Sequence, residues 1–232
     1  MLLVGRDAAA LAQAADACRA TGGRAEAIAV DVTATGAADG IAGACREAFG
    51  RIDALVNGAG TTRSRTIDEL TDEEWQALWE LHVMAPMRLM RTVAPAMAEA
   101  GFGRVVNVTS SSGKRPSLTN TAYSVTKAAQ LSLSRAFADA YAARGVLINS
   151  VAPGPIDGKL WTAPGGLADQ LAQRRGVTRE EVLSSTAART PVGRLGTEQE
   201  IASVIVFLCS EAASNVAGAA WSVDGGTVPV II

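Results

Sequence analysis

The chain has 232 residues, 48 % of them hydrophobic, with 21 basic and 23 acidic side chains. That length and apolar content fit one α/β domain spanning 1–232 with a sizeable core. The balanced charge, with no basic stripe and no acidic tail, argues against a nucleic-acid partner, and no apolar stretch of about 18 residues is there to cross a membrane.

In chain order, residues 1–4 read as a strand and 8–21 as a helix stopped by Gly22-Gly23, a C-cap signal. Residues 25–30 read as a strand, 36–49 as a helix, and 54–56 as a short strand entering Asn57-Gly58-Ala59-Gly60. Thr71-x-x-Glu74 is a capping box. It opens a helix to about residue 100, with Pro86 and Pro95 as the places where it could bend. Residues 104–108 are a strand, 122–143 a helix, and 147–151 a strand ended by Pro153-Gly154-Pro155. A polar, Gly-rich stretch follows, with a second capping box at Thr178-x-x-Glu181. A third, Thr197-x-x-Glu200, starts a helix to about Cys209, and 219–223 is the last strand, before Asp224-Gly225-Gly226.

Strands alternating with long helices mean βαβ units and a parallel sheet. Such sheets bind ligands at the carboxyl ends of their strands. The polar or Gly-rich punctuation after Val4, Val30, Val56, Val108 and Val151 falls at those ends. Cys18, Cys45 and Cys209 are far apart and odd in number. They read as small core residues in a reducing compartment, not as a disulfide frame. No signal-like segment opens the chain, so a soluble cytoplasmic protein is expected. A lone histidine, His82, argues against a metal site.

Tyr123 and Lys127 stand four apart at the start of a helical run, hence one turn apart on one face, with Ser110 upstream. A free phenol, with a pKa of about 10, is a poor base at neutral pH. A neighbouring ammonium favours the phenolate and should pull that value down. Ser110 adds a hydroxyl to hold a carbonyl or alcohol oxygen. Taken alone, such a pair is more often a surface tyrosine and a solvated lysine.

The blocks around it carry more. Asp31-Val32-Thr33, Asn57-Gly58-Ala59-Gly60, Val106-Asn107-Val108-Thr109-Ser110, Tyr123-Ser124-Val125-Thr126-Lys127, Asn149-Ser150-Val151-Ala152-Pro153-Gly154 and Val223-Asp224-Gly225-Gly226 occur in that order. Together they resemble the short-chain dehydrogenase/reductase family, in its 3-oxoacyl-carrier-protein reductase-like branch. The resemblance covers essentially the whole chain. It implies an α/β, Rossmann-like, doubly wound parallel sheet, and an NAD(P)-dependent oxidoreductase that interconverts a ketone and a secondary alcohol. By resemblance, Tyr123 is the general acid or base, Lys127 lowers its pKa and binds the nicotinamide ribose, and Ser110 orients the substrate oxygen. Asp31 and Val32 would contact the adenine. Asn57, Gly58 and Ala59 would line the cofactor loop, while Pro153, Gly154 and Ile156 would shelter the nicotinamide. Arg6, just after Gly5, suits a 2′-phosphate as a planar, always-charged fork, so NADP is expected, with NAD possible. A homodimer or homotetramer pairing the two long helices is also implied, with Ala128, Ala129, Ser132, Ala136 and Ala140 allowing close approach.

The chain departs from the family in three places. The Gly-rich fingerprint, with its strand and helix, should lie before Arg6 and is absent. The fold is therefore expected to lack the first βα unit, leaving the flanking strands with an unfilled slot, and a misplaced start is the favoured explanation. His82 stands where the family usually has an asparagine in its proton relay. A neutral imidazole also offers one donor and one acceptor, and would bring a pH dependence. Asp157 replaces a threonine that contacts the nicotinamide, with Thr162 as the nearby alternative. Residues 158–190 would form a substrate lid. Trp161 and Leu167 would give it an apolar face, and the absence of an Arg cluster favours a neutral or acyl-type substrate. Two rivals stand beside this reading. One is a non-catalytic homologue acting as a partner subunit or inert remnant. The other is an epimerase or dehydratase on the same scaffold.

Overall fold

The structure, a computed structural model, describes residues 1–229. β1 (Leu2–Gly5) leads to α1 (Ala8–Ala20), and β2 (Glu26–Ala29) follows. Asp7 starts α1: its Oδ1 accepts the N–H groups of Ala9 and Ala10 at 3.0 Å, two of the donors that a helix start leaves unpaired. Next come α2 (Ala37–Phe49), β3 (Ala54–Asn57), α3 (Asp72–Trp79), α4 (Ala85–Glu99), β4 (Gly103–Val108), α5 (Ser111–Lys114), α6 (Thr121–Tyr141) and β5 (Val146–Pro153). The remainder comprises β6 (Ile156–Asp157), α7 (Lys159–Thr162), α8 (Leu167–Arg175), α9 (Arg179–Arg189), β7 (Gly196–Thr197), α10 (Glu198–Cys209) and β8 (Ala220–Val223).

The main sheet runs β3-β4-β5-β8, every pair parallel. Parallel strands need cover on both faces. Met90, Val93 and Met97 of α4 with Ala138 of α6 pack against Val105 and Ile148. Ile201 and Leu208 of α10 pack against Val106 and Val151. Each of these four strand residues is at most 1 % exposed, and burying a side chain of this size contributes roughly 1.5–3 kcal/mol.

β1 and β2 form a separate parallel pair. Among the described residues no backbone hydrogen bond joins that pair to the main sheet. Side chains do so instead: Leu2, Val4, Ile28 and Leu55 meet on Ala37, Ile41 and Leu89. The result is the doubly wound parallel architecture expected, with no strand among the described residues hydrogen-bonded between β1 and β3 and with Val56 of β3 44 % exposed.

All three expected capping boxes form. The long helix expected over 71–100 is divided. A π turn at Glu80–Met84 separates α3 from α4, with the Ala85 N–H bonded to the Glu80 carbonyl. Pro86 then falls in the first turn of α4, where its missing donor is harmless, and the helix continues through Pro95. Residues 158–190 contain α7, α8 and α9, built around Ala168, Leu171, Ala172 and Val182 with Trp161 packed against them.

Candidate active site

Ser110 follows β4 and caps α5, its Oγ accepting the Ser112 N–H at 3.1 Å. α5 lies hard against α6. A methyl group on Gly113 would come within 2.8 Å of the Lys127 carbonyl carbon. That approach brings Ser110 to the face of α6 that carries Tyr123 and Lys127. The Lys127 Nζ sits 5.7 Å from the centre of the Tyr123 ring. It donates to the Val108 carbonyl at 2.8 Å and to Gln130 Oε1 at 2.9 Å.

Burial dominates the electrostatics. It pushes the Lys127 amine down to about 7. It also pushes the Tyr123 phenol above its ordinary value, with the Ser110 hydroxyl pulling the other way. The expectation that Lys127 draws the phenol below its ordinary value is therefore corrected. Removing the phenolate from water costs more than its neighbours return.

His82 is fully buried within the π turn. Thr126 Oγ1 gives its single proton to the Tyr123 carbonyl at 2.9 Å, so it accepts from His82 Nδ1, also at 2.9 Å. His82 Nε2 is left to accept the Thr61 N–H at 3.3 Å. Both ring nitrogens are thus engaged, and the ring meets Tyr123 edge-on at 5.3 Å. Burial, then the Lys127 ammonium, pushes the imidazole down to about 3. The pH dependence expected of this histidine is corrected accordingly: the neutral form is favoured throughout the usual titration range. As the only histidine in the chain, its ring C2–H proton can be followed alone by NMR. We expect no titration between about pH 8 and pH 5. A midpoint near the ordinary imidazole value would mean that the ring is open to water.

The residues expected to hold the cofactor spread along the carboxyl ends of the strands. Arg6 is exposed just beyond β1. Asp31 accepts the Thr33 N–H at 2.9 Å and its hydroxyl at 2.7 Å. Those bonds, with the Arg6 charge, hold its carboxyl below the ordinary range. Val32 packs into the cluster around α2. Asn57 Nδ2 donates to Asn107 Oδ1 at 2.7 Å, and Asn107 Nδ2 to Ser134 Oγ at 3.1 Å, a buried polar link from β3 through β4 to α6. Gly58 and Ala59 are exposed beside it. A Cβ on Gly60 would lie 3.5 Å from His82 Nε2 and 3.7 Å from Lys127 Nζ. Pro153 ends β5, and a Cβ on Gly154 would come 2.8 Å from the Asp224 Cα. The Ile156 side chain packs into the apolar cluster under α10. Asp157 pairs in register with Thr197, and the Thr162 hydroxyl turns back to the Gly158 carbonyl at 3.1 Å.

Sequence reasoning passed over Thr61, Asn107, Thr126 and Gln130. A signal existed for one of them. Lys127, Gln130 and Ser134 make a polar stripe at i, i+3 and i+7 along the buried face of the helix.

The expected lack of an arginine cluster is also corrected. Arg174 of α8 forms a two-bond pair with Glu69 at 3.0 and 2.8 Å and donates to the Ser64 carbonyl at 3.1 Å. Gln170 Oε1 accepts the Ser64 N–H at 2.8 Å. The segment is thereby tied to the loop that leaves the site at Thr61. A cavity of about 520 Å³ there is lined by Arg63, Ser64, Arg65, Glu69, Gln170 and Arg174 among others. The sequence reading missed this because Arg174 is remote in the chain from Arg63 and Arg65 and meets their loop only in the fold.

Residues 1–228 match the family described as enoyl-(acyl carrier protein) reductase. The chain is 35 % identical over 210 residues to the short-chain reductase protein NovJ of Streptomyces niveus, covering 90 % of this chain and 77 % of that one. It is 35 % identical over 181 residues to the 3-oxoacyl-[acyl-carrier-protein] reductase FabG of Escherichia coli, covering 78 % and 68 %. Among solved structures, L-sorbose reductase from Gluconobacter frateurii, complexed with NADPH and L-sorbose, superposes with a TM-score of 0.91 at 35 % identity, covering 99 % of this chain and 87 % of that one.

Proposed function

The chain belongs to the short-chain dehydrogenase/reductase family, and from that premise we propose that it is an NADP-dependent oxidoreductase reducing a ketone to a secondary alcohol. The observation that carries this reading is the convergence of Ser110, Tyr123 and Lys127 beyond the carboxyl end of β4. The residues present fit the adenosine and nicotinamide-ribose ends of the cofactor. Arg6 makes no hydrogen bond or ion pair among the described residues and stands beyond the same strand ends as Asp31, which suits a 2′-phosphate. Glycine at 60 keeps side-chain bulk away from Lys127, and Gly58 lies beside Val108. The related sorbose reductase was crystallised with NADPH.

When bound, the nicotinamide supplies the hydride. Tyr123 gives its phenolic proton to the oxygen that gains charge, and Ser110 donates a hydrogen bond to the same atom. The raised Tyr123 value keeps that proton in place at neutral pH, which favours the reductive direction. Lys127 brings positive charge beside the phenol and offers an N–H to the ribose. His82 is a positioning residue in this reading, bracing Tyr123 edge-on. Residues 158–190 act as the lid within a single domain. The candidate substrates are a keto-sugar, as in the related sorbose reductase, a 3-oxoacyl thioester, as in the related FabG, and a cyclic ketone.

NADPH oxidation against a panel of those three ketone classes tests the proposal. We expect NADPH to be preferred over NADH, and Arg6→Ala to lower kcat/KM for NADPH by about 10–100-fold, as the loss of a bond to a charged group predicts. The interrupted sheet is the one observation that favours a non-catalytic partner subunit, and failure to bind or oxidise NADPH would move the reading there. Exposed Ser132, Ala136 and Ala140 on α6 support a homodimer or homotetramer, which a single-chain mass by light scattering would remove. Three free thiols support a cytoplasmic location, checked by cell fractionation.

A further inference from the structure

We propose that Gln130 is a positioning residue for Lys127, its amide oxygen and the Val108 carbonyl together holding the ammonium charged and oriented toward Tyr123. Gln130 is 1 % exposed. A buried amide is costly unless it is paired, and this one is paired with Lys127 at 2.9 Å. An ammonium only donates, so the amide oxygen must be the atom facing it. Tyr123, Lys127 and Gln130 occupy i, i+4 and i+7 of one helix face. Lys127 is thus held between the phenol on one side and the amide on the other. Two of its three N–H groups are taken by Val108 and Gln130, which leaves the third for the site.

Burial discharges an amine, while an acceptor on the ammonium keeps it charged. Gln130 supplies that opposing force. The titratable groups facing Lys127 are Tyr123 on its own helix and His82 on the π turn. β4 brings the Val108 carbonyl, and among the described residues no other charge moves the amine from its ordinary value. The catalytic consequence rests on the hydride-transfer reading; the effect on Lys127 itself does not.

The chain has only three lysines, Lys114, Lys127 and Lys159, so lysine labelled with carbon-13 at Cε lets the Lys127 titration be followed directly. Gln130→Leu should lower its midpoint by about one pH unit or more, as expected for losing a hydrogen bond to a charged group. Gln130→Glu should raise it. In NADPH-dependent reduction near neutral pH, Gln130→Leu should lower kcat about tenfold with the ketone KM within about twofold. The alkaline limb of the rate profile should shift in step with the lysine midpoint. A residue that only fills space would lower the melting temperature without moving either. A Lys127 midpoint unchanged in folded Gln130→Leu overturns the proposal. Where that variant does not fold, an unchanged or lowered midpoint in Gln130→Glu overturns it instead. A moved lysine midpoint in a chain that reduces no ketone leaves this inference standing and removes the functional reading.

Discussion

Tyr123→Phe lowers kcat by about 10²–10⁴-fold, the usual worth of a general acid, and leaves the ketone KM and NADPH binding within about threefold. The substitution removes one oxygen. Phenylalanine keeps the ring that meets His82 at 5.3 Å and lies 5.7 Å from the Lys127 Nζ. What is lost is a proton at the oxygen that becomes negative, an interaction made only as the reaction proceeds, so the deficit belongs in kcat. The raised phenol value means that the wild-type proton is present at neutral pH, so the deficit should appear without alkaline conditions. Single-turnover reduction by the two proteins measures it. A loss of less than about tenfold would mean that the proton comes from elsewhere.

Gly113→Ala damages fold and chemistry together. Its Cβ would meet the Lys127 carbonyl carbon at 2.8 Å, the Lys127 carbonyl oxygen at 2.9 Å and the Ala128 nitrogen at 3.0 Å. All three are backbone atoms of a helix and cannot swing aside. α5 must therefore back away from α6, carrying Ser110 with it. Overpacking of this kind costs about 1–3 kcal/mol. In a chain of this size, that lowers the melting temperature by about 2–12 °C. Displacing the hydroxyl that holds the substrate oxygen should lower kcat/KM by a further factor of about 10². Thermal melts and steady-state rates on the same preparation check both effects. A variant with wild-type values in each would show that the contact between the two helices is not what places Ser110.

Much of this was legible in the sequence because its signals are local. Thr71, Thr178 and Thr197 each announce a helix start through a glutamate three residues on, and each start forms. Alternation of strand and helix gave the parallel sheet, and the ends of those strands gave the place where Ser110, Tyr123 and Lys127 meet. What stayed hidden depends on depth and on partners remote in the chain. Nothing in Tyr-x-x-x-Lys says how far the phenol is removed from water, and its own burial is what pushes the Tyr123 value up. His82 looked titratable, and only its depth in the fold and the Lys127 charge beside it show that it stays neutral. The division of the long helix was expected at a proline. It falls one turn earlier, where the backbone changes register so that Pro86 has no bond to break.

The join between the β1–β2 pair and the main sheet has a consequence for how the protein comes apart. Side-chain packing on α2 and α4 holds the two groups of strands together, with no ladder between them among the described residues. Segments joined in this way open as separate cooperative units, each with its own free energy. The four tryptophans, Trp75, Trp79, Trp161 and Trp221, all lie beyond β3. Their fluorescence is therefore blind to the melting of β1, α1 and β2, whereas circular dichroism counts α1. The two signals need not share a midpoint, and a single unfolding free energy fitted to either one describes only part of the molecule.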